Sequence, residues 1–532
     1  MRNLDLAGRS PVHATQAMAC SSHYLASLAA LDLLRAGGNA VDAAIAACAV
    51  QCVVEPGSTG IGGDCFALLA PAGADRPIAF NSSGRAPAGA TVERLRGDGL
   101  TQIPRQSPHA VLVPGALAGW DRLLTDYGCK DRELVLRPAI RLAEEGYPIY
   151  QRVAADFAKE QPVLAADPAS AATFLVDGSP PREGQMHRQP ALAATLRAVA
   201  QNGPTAFYTG AVAEDLVGRL QALGGTHTLD DFTRMLESGP AYMAPIATSY
   251  AGKTVYECPP NGQGVTALEL LNIMAGLDRP SLPPLSANRL HLELEAARLA
   301  YADRDAVLAD PDTGVPVDTL LSPAHAATQR ARINPTQAMA APPRSPLAPH
   351  ADTVYITVVD ADGNAASFIN SLFNVFGSGI MGPKSGVLLN NRGCGFSLDA
   401  DHPNAIAPGK RPLHTLIPGM VFDGDRLEMS FGVMGGQYQA AGHSYVLGNV
   451  YDYGMDVQAA IDLPRSFLLD DARVEVESGI PADVVAELER RGHRAVPAAK
   501  PIGGAQAIKI DHETGLLTGG SDPRKDGFAL GY

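Results

Sequence analysis

A chain of 532 residues is too long for one small core, and its length corresponds to roughly three to four domain equivalents. With 46% hydrophobic and 18% charged residues and a mean hydropathy near zero, the composition is that of a soluble globular protein. The net charge of −14, from 42 basic and 56 acidic residues without a long basic run, argues against nucleic acid and anionic membrane surfaces as partners.

Met1 to Ser10 holds no continuous apolar stretch, so no secretory signal is expected. Ser21 to Ala36 is predicted to be helical and to stop at Gly37-Gly38; Asn39 then caps a second, alanine-rich helix reaching about Val53. The longest apolar run, Ala43 to Val54, is broken by Gln51 and too short to cross a bilayer, which makes it a buried helix. Next comes Glu55-Pro-Gly-Ser-Thr-Gly-Ile-Gly-Gly-Asp64, followed by predicted strands over 65–70 and 77–81. Its glycines match neither a phosphate loop nor a dinucleotide fingerprint, so a tight loop near an active site is expected. Helices are predicted over 115–127, 134–145, 191–202 and 211–223. The strip His291 to Arg304 also has helical spacing, with its charges expected on a solvated face as local ion pairs. Cysteines 20, 48, 52, 65, 129, 258 and 394 are odd in number and lack a Cys-x-x-Cys pair, which points to reduced, mostly buried thiols and a cytoplasmic protein. Cys48 and Cys52 could share a helix face, but no histidine follows at zinc-site spacing.

Ala341 to Pro349 is proline-rich and reads as a connector. Beyond it strands are predicted over 353–359, 365–372, 387–390, 418–422 and 426–431, with helices over 440–451 and 457–463. Asp362-Gly363 marks a hairpin turn; the calcium-loop reading of Asp360-Ala-Asp-Gly363 lacks its later ligands. Helix-rich first and strand-rich second, the chain suits a layered α+β architecture.

Thr353 combines a disposable connector before it with a core strand after it, the geometry an N-terminal nucleophile needs. Once freed, an α-amino group with a reference pKa of about 7.7 to 8.0 can act as base for its own hydroxyl. Strand threonines are common without any chemistry, so the reading depends on the rest of the chain. His-Glu-x-x-His, G-x-S-x-G, Walker A and kinase patterns are absent. His414, beside Arg411 and Thr415, is a candidate either for chemistry or for a satisfied structural histidine. Phe431-Gly-Val-Met-Gly-Gly-Gln437 sits between a strand and a helix, where backbone N–H groups can hold an oxyanion.

Taken together, the Thr353 segment, Phe376-Gly-Ser-Gly-Ile380, Leu388-Leu-Asn-Asn391, Lys410-Arg-Pro412, Met434-Gly-Gly436 and the tail Ser521 to Tyr532 resemble the γ-glutamyltransferase family of N-terminal nucleophile hydrolases. So do Gly37 to Ala44, Thr59 to Asp64, Val113-Pro-Gly115, Thr228 to Phe232 and Pro259 to Gly264, in family order over nearly the whole chain. The resemblance implies a four-layer αββα sandwich and self-cleavage between Asp352 and Thr353. It also implies a large chain 1–352 and a small chain 353–532 that stay associated as one intertwined unit, and an acyl-enzyme on Thr353. Ser371 falls where the family has a second hydroxyl, and Gly435 and Gly436 fall on the oxyanion pair. No metal or organic cofactor is indicated, and assembly into a homodimer of two-chain units is left open.

Departures from the family pattern concern the acyl group. The arginine that grips a glutamyl α-carboxylate is replaced by Ser83, leaving Arg85 to take the carboxylate; an asparagine becomes Phe373; the aspartate that holds the α-amino group becomes Gly395. Two serines become His414 and Thr415. An unpaired buried ammonium should cost several kcal/mol. Gly84-Arg-Ala-Pro87 with His414-Thr415 resembles the divergent branch that includes oxamate amidohydrolase, so a small carboxylate-bearing amide is expected as substrate, bound by Arg85, His414, Thr415 and Phe373. Alternatives are a glutathione hydrolase, a cephalosporin- or glutaryl-type acylase, and a non-enzymatic relative.

Overall fold

The computed structural model describes residues 8–340, 353–469, 471 and 473–532. The proline-rich connector and Asp352 lie outside them.

Two seven-stranded antiparallel sheets pack face to face. The first runs, in spatial order, through strands 12–14, 516–521, 504–511, 426–434, 419–423, 253–257 and 246–250. The second runs through 528–531, 18–21, 354–359, 365–371, 64–70, 78–82 and 241–243. Both sheets therefore draw strands from either side of position 353. Phe66, Leu68, Tyr355, Ile369, Met420, Phe422, Met434 and Ile508 fill the space between them. Helices 24–35, 40–54, 116–127, 132–145 and 190–202 cover the outer face of the second sheet; 264–274, 287–307, 438–451 and 457–462 cover that of the first. The result is the four-layer αββα sandwich that the family resemblance implies.

Strand Val354–Val359 shows why the layers form. It is buried along its whole length and rich in β-branched residues. Ile356 and Val358 belong to the helical core, whereas Tyr355 and Val359 belong to the core between the sheets, an alternation fixed by the two-residue period of a strand. The ring of Tyr355 covers Gly432, where any Cβ would overlap it, so that glycine sets how closely the sheets approach. Thr357 donates to Ser430 across the same gap (2.7 Å).

The second predicted helix runs Ala40–Val54, buried throughout and closed by an Asn39/Asp42 capping box. The first begins at Tyr24, with His23 as its cap, because Met18–Ser21 is a strand. Residues 387–390 form no strand among the described residues, only single bridges from Leu388 to Met381 and from Leu389 to Gly62. Helix Ala287–Val307 departs most from expectation. Its charges are not on a solvated face: Arg289, His291, Glu295, Arg298 and Arg304 are buried. Leu290 and Leu294 pack against Leu468 and Val474 of a small three-stranded sheet that roofs the helix. The charges are instead paired internally, Arg289 with Glu293 at 2.8 Å and Arg298 with Glu295 at 3.1 Å. Among the described residues no helix is long and apolar enough to cross a membrane.

Candidate active site

Thr353 stands one step before its strand and is only 1% exposed. Its Oγ1 donates to Ser371 Oγ at 3.2 Å. Ser371 closes the neighbouring strand, and its hydroxyl also accepts the backbone N–H of Phe373 at 2.8 Å. Phe373 has a φ of 84°, a conformation that a bulky side chain rarely adopts, so the chain turns sharply just past Ser371.

The glycine-rich loop expected near an active site packs onto this strand end. A Cβ on Gly63 would overlap the Ser371 carbonyl, and one on Gly62 would overlap that of Leu388. The Gly63 carbonyl accepts the N–H groups of Gly115 and Ala116 at 2.9 and 3.1 Å, which ties the loop to the start of helix 116–127.

Asp64, which follows that loop, faces Ser371 in the strand ladder and anchors a buried polar group. His414 Nε2 donates to Asp64 Oδ2 at 2.7 Å, while its Nδ1 accepts the Leu416 N–H at 3.2 Å. Burial, and then the Arg392 charge, push the His414 imidazole down to about 4, so it is neutral near pH 7. Burial alone would raise the Asp64 carboxyl, but His414 and Arg392 outweigh it and hold it below its ordinary value. Arg392 lies with its guanidinium 4.2 Å from the Phe373 ring centre and donates from Nη1 to Thr415 Oγ1 at 3.0 Å. Burial lowers it to about 10, leaving it a cation at neutral pH.

Gly435 and Gly436 turn the chain from strand 426–434 into helix 438–451 at φ values of 118° and 58°. Among the described residues neither N–H has a hydrogen-bond acceptor. Gln263 Nε2 bridges the carbonyls of Thr415 (2.9 Å) and Gly436 (3.0 Å), locking this turn to the His414-Thr415 segment. Arg304 holds the Gln263 Oε1 at 2.8 Å and also reaches Gln437. Asn261 donates to the Pro412 carbonyl at 2.7 Å, so the Pro259 to Gly264 motif serves to dock the 412–415 segment.

Thr353, Ser371 and Phe373 are thus joined directly, and Thr415 joins Phe373 through Arg392. His414 sits beside them with both ring nitrogens already committed. Arg85 stands apart in manner: it is half-buried, and its Nη1 donates to the Gly409 carbonyl at 2.9 Å. Asp64 and Arg392 lie far from each other in the chain, so their meeting has no local signal in the sequence. Metal-type donors cluster elsewhere, as His291, Glu295 and His493, and as Glu269, Asp303 and His325. In the first cluster the histidine nitrogens bond each other (2.8 Å) and the Asn334 carbonyl (2.7 Å).

An αββα sandwich that carries a threonine hydroxyl, paired with a serine, at the head of a central strand is of the N-terminal nucleophile hydrolase class. The γ-glutamyltranspeptidase family model matches residues 26–532, and the chain belongs to that family. It is 38% identical to the glutathione hydrolase-like YwrD proenzyme of Bacillus subtilis, over 97% of this chain and 98% of that protein. It is 37% identical to the oxamate amidohydrolase proenzyme of Klebsiella pneumoniae, over 97% of this chain and 99% of the other. A crystal structure of cephalosporin acylase from Bacillus halodurans superposes with a TM-score of 0.92 at 38% identity, covering 100% of this chain and 98% of its own. The protein is accordingly an enzyme of a family of hydrolase proenzymes that act on C–N bonds.

Proposed function

We propose that the protein is an autoprocessed amidohydrolase that uses Thr353 to cleave a small carboxylate-bearing amide such as oxamate. The observation that carries this reading is the hydroxyl of Thr353 hydrogen-bonded to Ser371 at the head of the strand. Cleavage after Asp352 frees the Thr353 α-amino group, and residues 1–352 and 353–532 remain together. That amine takes the Oγ1 proton as Oγ1 bonds to the substrate carbonyl carbon, with Ser371 orienting the attacking oxygen. The N–H groups of Gly435 and Gly436 hold the resulting oxyanion, each donor contributing about 2.7–4 kcal/mol in such sites. As the intermediate collapses, the C–N bond breaks and the α-ammonium proton leaves with ammonia. Water then attacks the Thr353 ester and releases the acid.

Phe373 and Thr415 contribute to the acyl pocket, and His414 holds Asp64. Two arginines compete for the substrate carboxylate, Arg85 on the Gly409 loop and the buried Arg392. Hydrolysis of γ-glutamyl amides is the second reading, since several relatives are named glutathione hydrolase proenzymes. Against it, Gly395 stands where the family pattern has the acid for a glutamyl ammonium, and the buried Arg392 cation disfavours an ammonium nearby. The seven cysteines are unpaired, in keeping with a cytoplasmic setting.

A denaturing gel of fresh protein should show two bands, the smaller beginning at Thr353. Ammonia release from oxamate, measured beside glutamate release from glutathione, then tests the substrate. A persistent single band, or rapid glutathione turnover with none of oxamate, would refute the proposal.

A further inference from the structure

A substrate that carries a carboxylate needs a cationic receptor, and Arg85 already spends part of its guanidinium on the Gly409 carbonyl at a half-exposed position. Arg392 is in the opposite situation. It is 1% exposed, Nη1 is held by Thr415, and among the described residues its Nε and Nη2 have no hydrogen-bond acceptor. The nearest anion, Asp64 Oδ1, stands 3.8 Å from Nη2, too far for a hydrogen bond, and is itself unpartnered. The other Asp64 oxygen belongs to His414. Leaving two donors of a buried cation unmet is costly in a folded chain unless something arrives to use them.

The two idle nitrogens are a particular pair. Nε and Nη2 share one edge of the planar guanidinium, with parallel N–H bonds that match the two oxygens of a carboxylate. That edge is held rigidly, with Phe373 against the face and Thr415 on the opposite nitrogen. Phe373 is also the residue whose N–H binds Ser371 Oγ, so the guanidinium rests on the turn that completes the Thr353 site.

We propose that Arg392 is the receptor for the acyl group's carboxylate, taking it on the Nε–Nη2 edge in a two-point hydrogen bond. This rests on the amidohydrolase reading for the bond that breaks, and it deepens that reading by naming the residue that selects the acyl group. Arg392 lies three residues before Gly395, the position where the family pattern has the acid for an α-ammonium, and among the described residues the one carboxylate beside it, Asp64, already faces the Arg392 cation. The enzyme then favours short acyl groups ending in a carboxylate and disfavours those with an added ammonium. A purely structural Arg392, present only to neutralise Asp64, would show no preference of this kind.

The test uses the matured two-chain enzyme and its Arg392→Lys and Arg392→Met variants. Lysine keeps the charge that faces Asp64 but not the edge. Calorimetry measures binding of oxalate, succinate and glutarate, and kinetics compares oxamate, succinamate and glutaramate with the matching neutral diamides. The wild type should bind at least one dicarboxylate, and both variants should weaken that binding about 10- to 150-fold, the range for losing a charged hydrogen-bonded pair. KM should rise by a larger factor for the acid amides than for the matching diamides. If the wild type binds no dicarboxylate, or if the lysine variant binds it equally well, the inference falls. Acid-amide hydrolysis that does not depend on Arg392 would overturn the inference and leave the amidohydrolase reading standing. Arg392-dependent dicarboxylate binding without acid-amide hydrolysis would support the receptor and refute the reaction.

Discussion

Removing the Ser371 hydroxyl separates two effects that the structure superimposes on one atom. In Ser371→Ala, Thr353 Oγ1 loses a partner at 3.2 Å and the Phe373 N–H loses its acceptor at 2.8 Å. Phe373 is buried, and a buried donor left unmet costs about 1–3 kcal/mol of stability. The catalytic cost follows from the charge that builds on Oγ1 as its proton leaves. A hydrogen bond to a charged group contributes about 1.5–3 kcal/mol, which corresponds to roughly 10- to 150-fold in rate. Denaturant titration reads the first effect; kcat/KM, with the rate of band splitting on a gel, reads the second. Ser371→Thr keeps the hydroxyl and should retain most of both. If Ser371→Ala matured and turned over within twofold of wild type, the pairing of Thr353 with Ser371 would be a packing contact, and the mechanistic argument would fail.

Thr353→Ala should give a single uncut chain with no activity, as seen on a gel and by ammonia release, because both steps need the same oxygen. Gly435→Ala places a Cβ 2.8 Å from the Gly503 Cα at a φ of 118°, so the turn must shift; kcat should fall about 100- to 1,000-fold, as for a lost oxyanion donor. His414 titrates at about 4 in the folded chain against an ordinary 6.5, so the folded state binds fewer protons between those values. Its contribution to stability is present above about 6.5 and is lost as pH falls toward 4. Melting curves of His414→Asn should show a shallower decline over that window than the wild type, and equal slopes would refute the assignment. Arg85→Ala should leave self-cleavage intact; a steep rise in KM for oxamate would return the carboxylate to Arg85, whereas a small change fits the Gly409 contact.

The parts of this molecule that were legible in the sequence are those specified by neighbours in the chain. Asn39 caps the helix that starts at the next residue, and Thr353 stands directly before the strand expected to follow it. Gly435 and Gly436 could be read because a strand-to-helix turn needs positive φ there. The pairing of Asp64 with His414 could not, because the two meet across 350 residues. Residues 387–390 have the apolar look of a strand, yet the Asn390 side chain bonds the Gly62 and Leu112 carbonyls at 2.9 Å each, in place of a ladder. The charges of helix 287–307 mimic a solvated face; partners distant in the chain make them internal, such as Asn449 for Arg289 and Gln263 for Arg304.

Strand 354–359 lies between strand 18–21 and strand 365–371, and strand 528–531 pairs with the other edge of 18–21. The Tyr532 carbonyl accepts the N–H groups of Thr15, Gln16 and Ala17. A break ahead of Thr353 would remove none of these pairings, but it would change the molecularity of recovery and make the stability of the folded form depend on concentration. An uncut chain that unfolds can refold alone, whereas after the break two separate molecules must first find each other, and recovery slows with dilution. If the chain is cut there, regaining the folded state requires two pieces to meet, and at high dilution the working life of the protein follows the rate of unfolding.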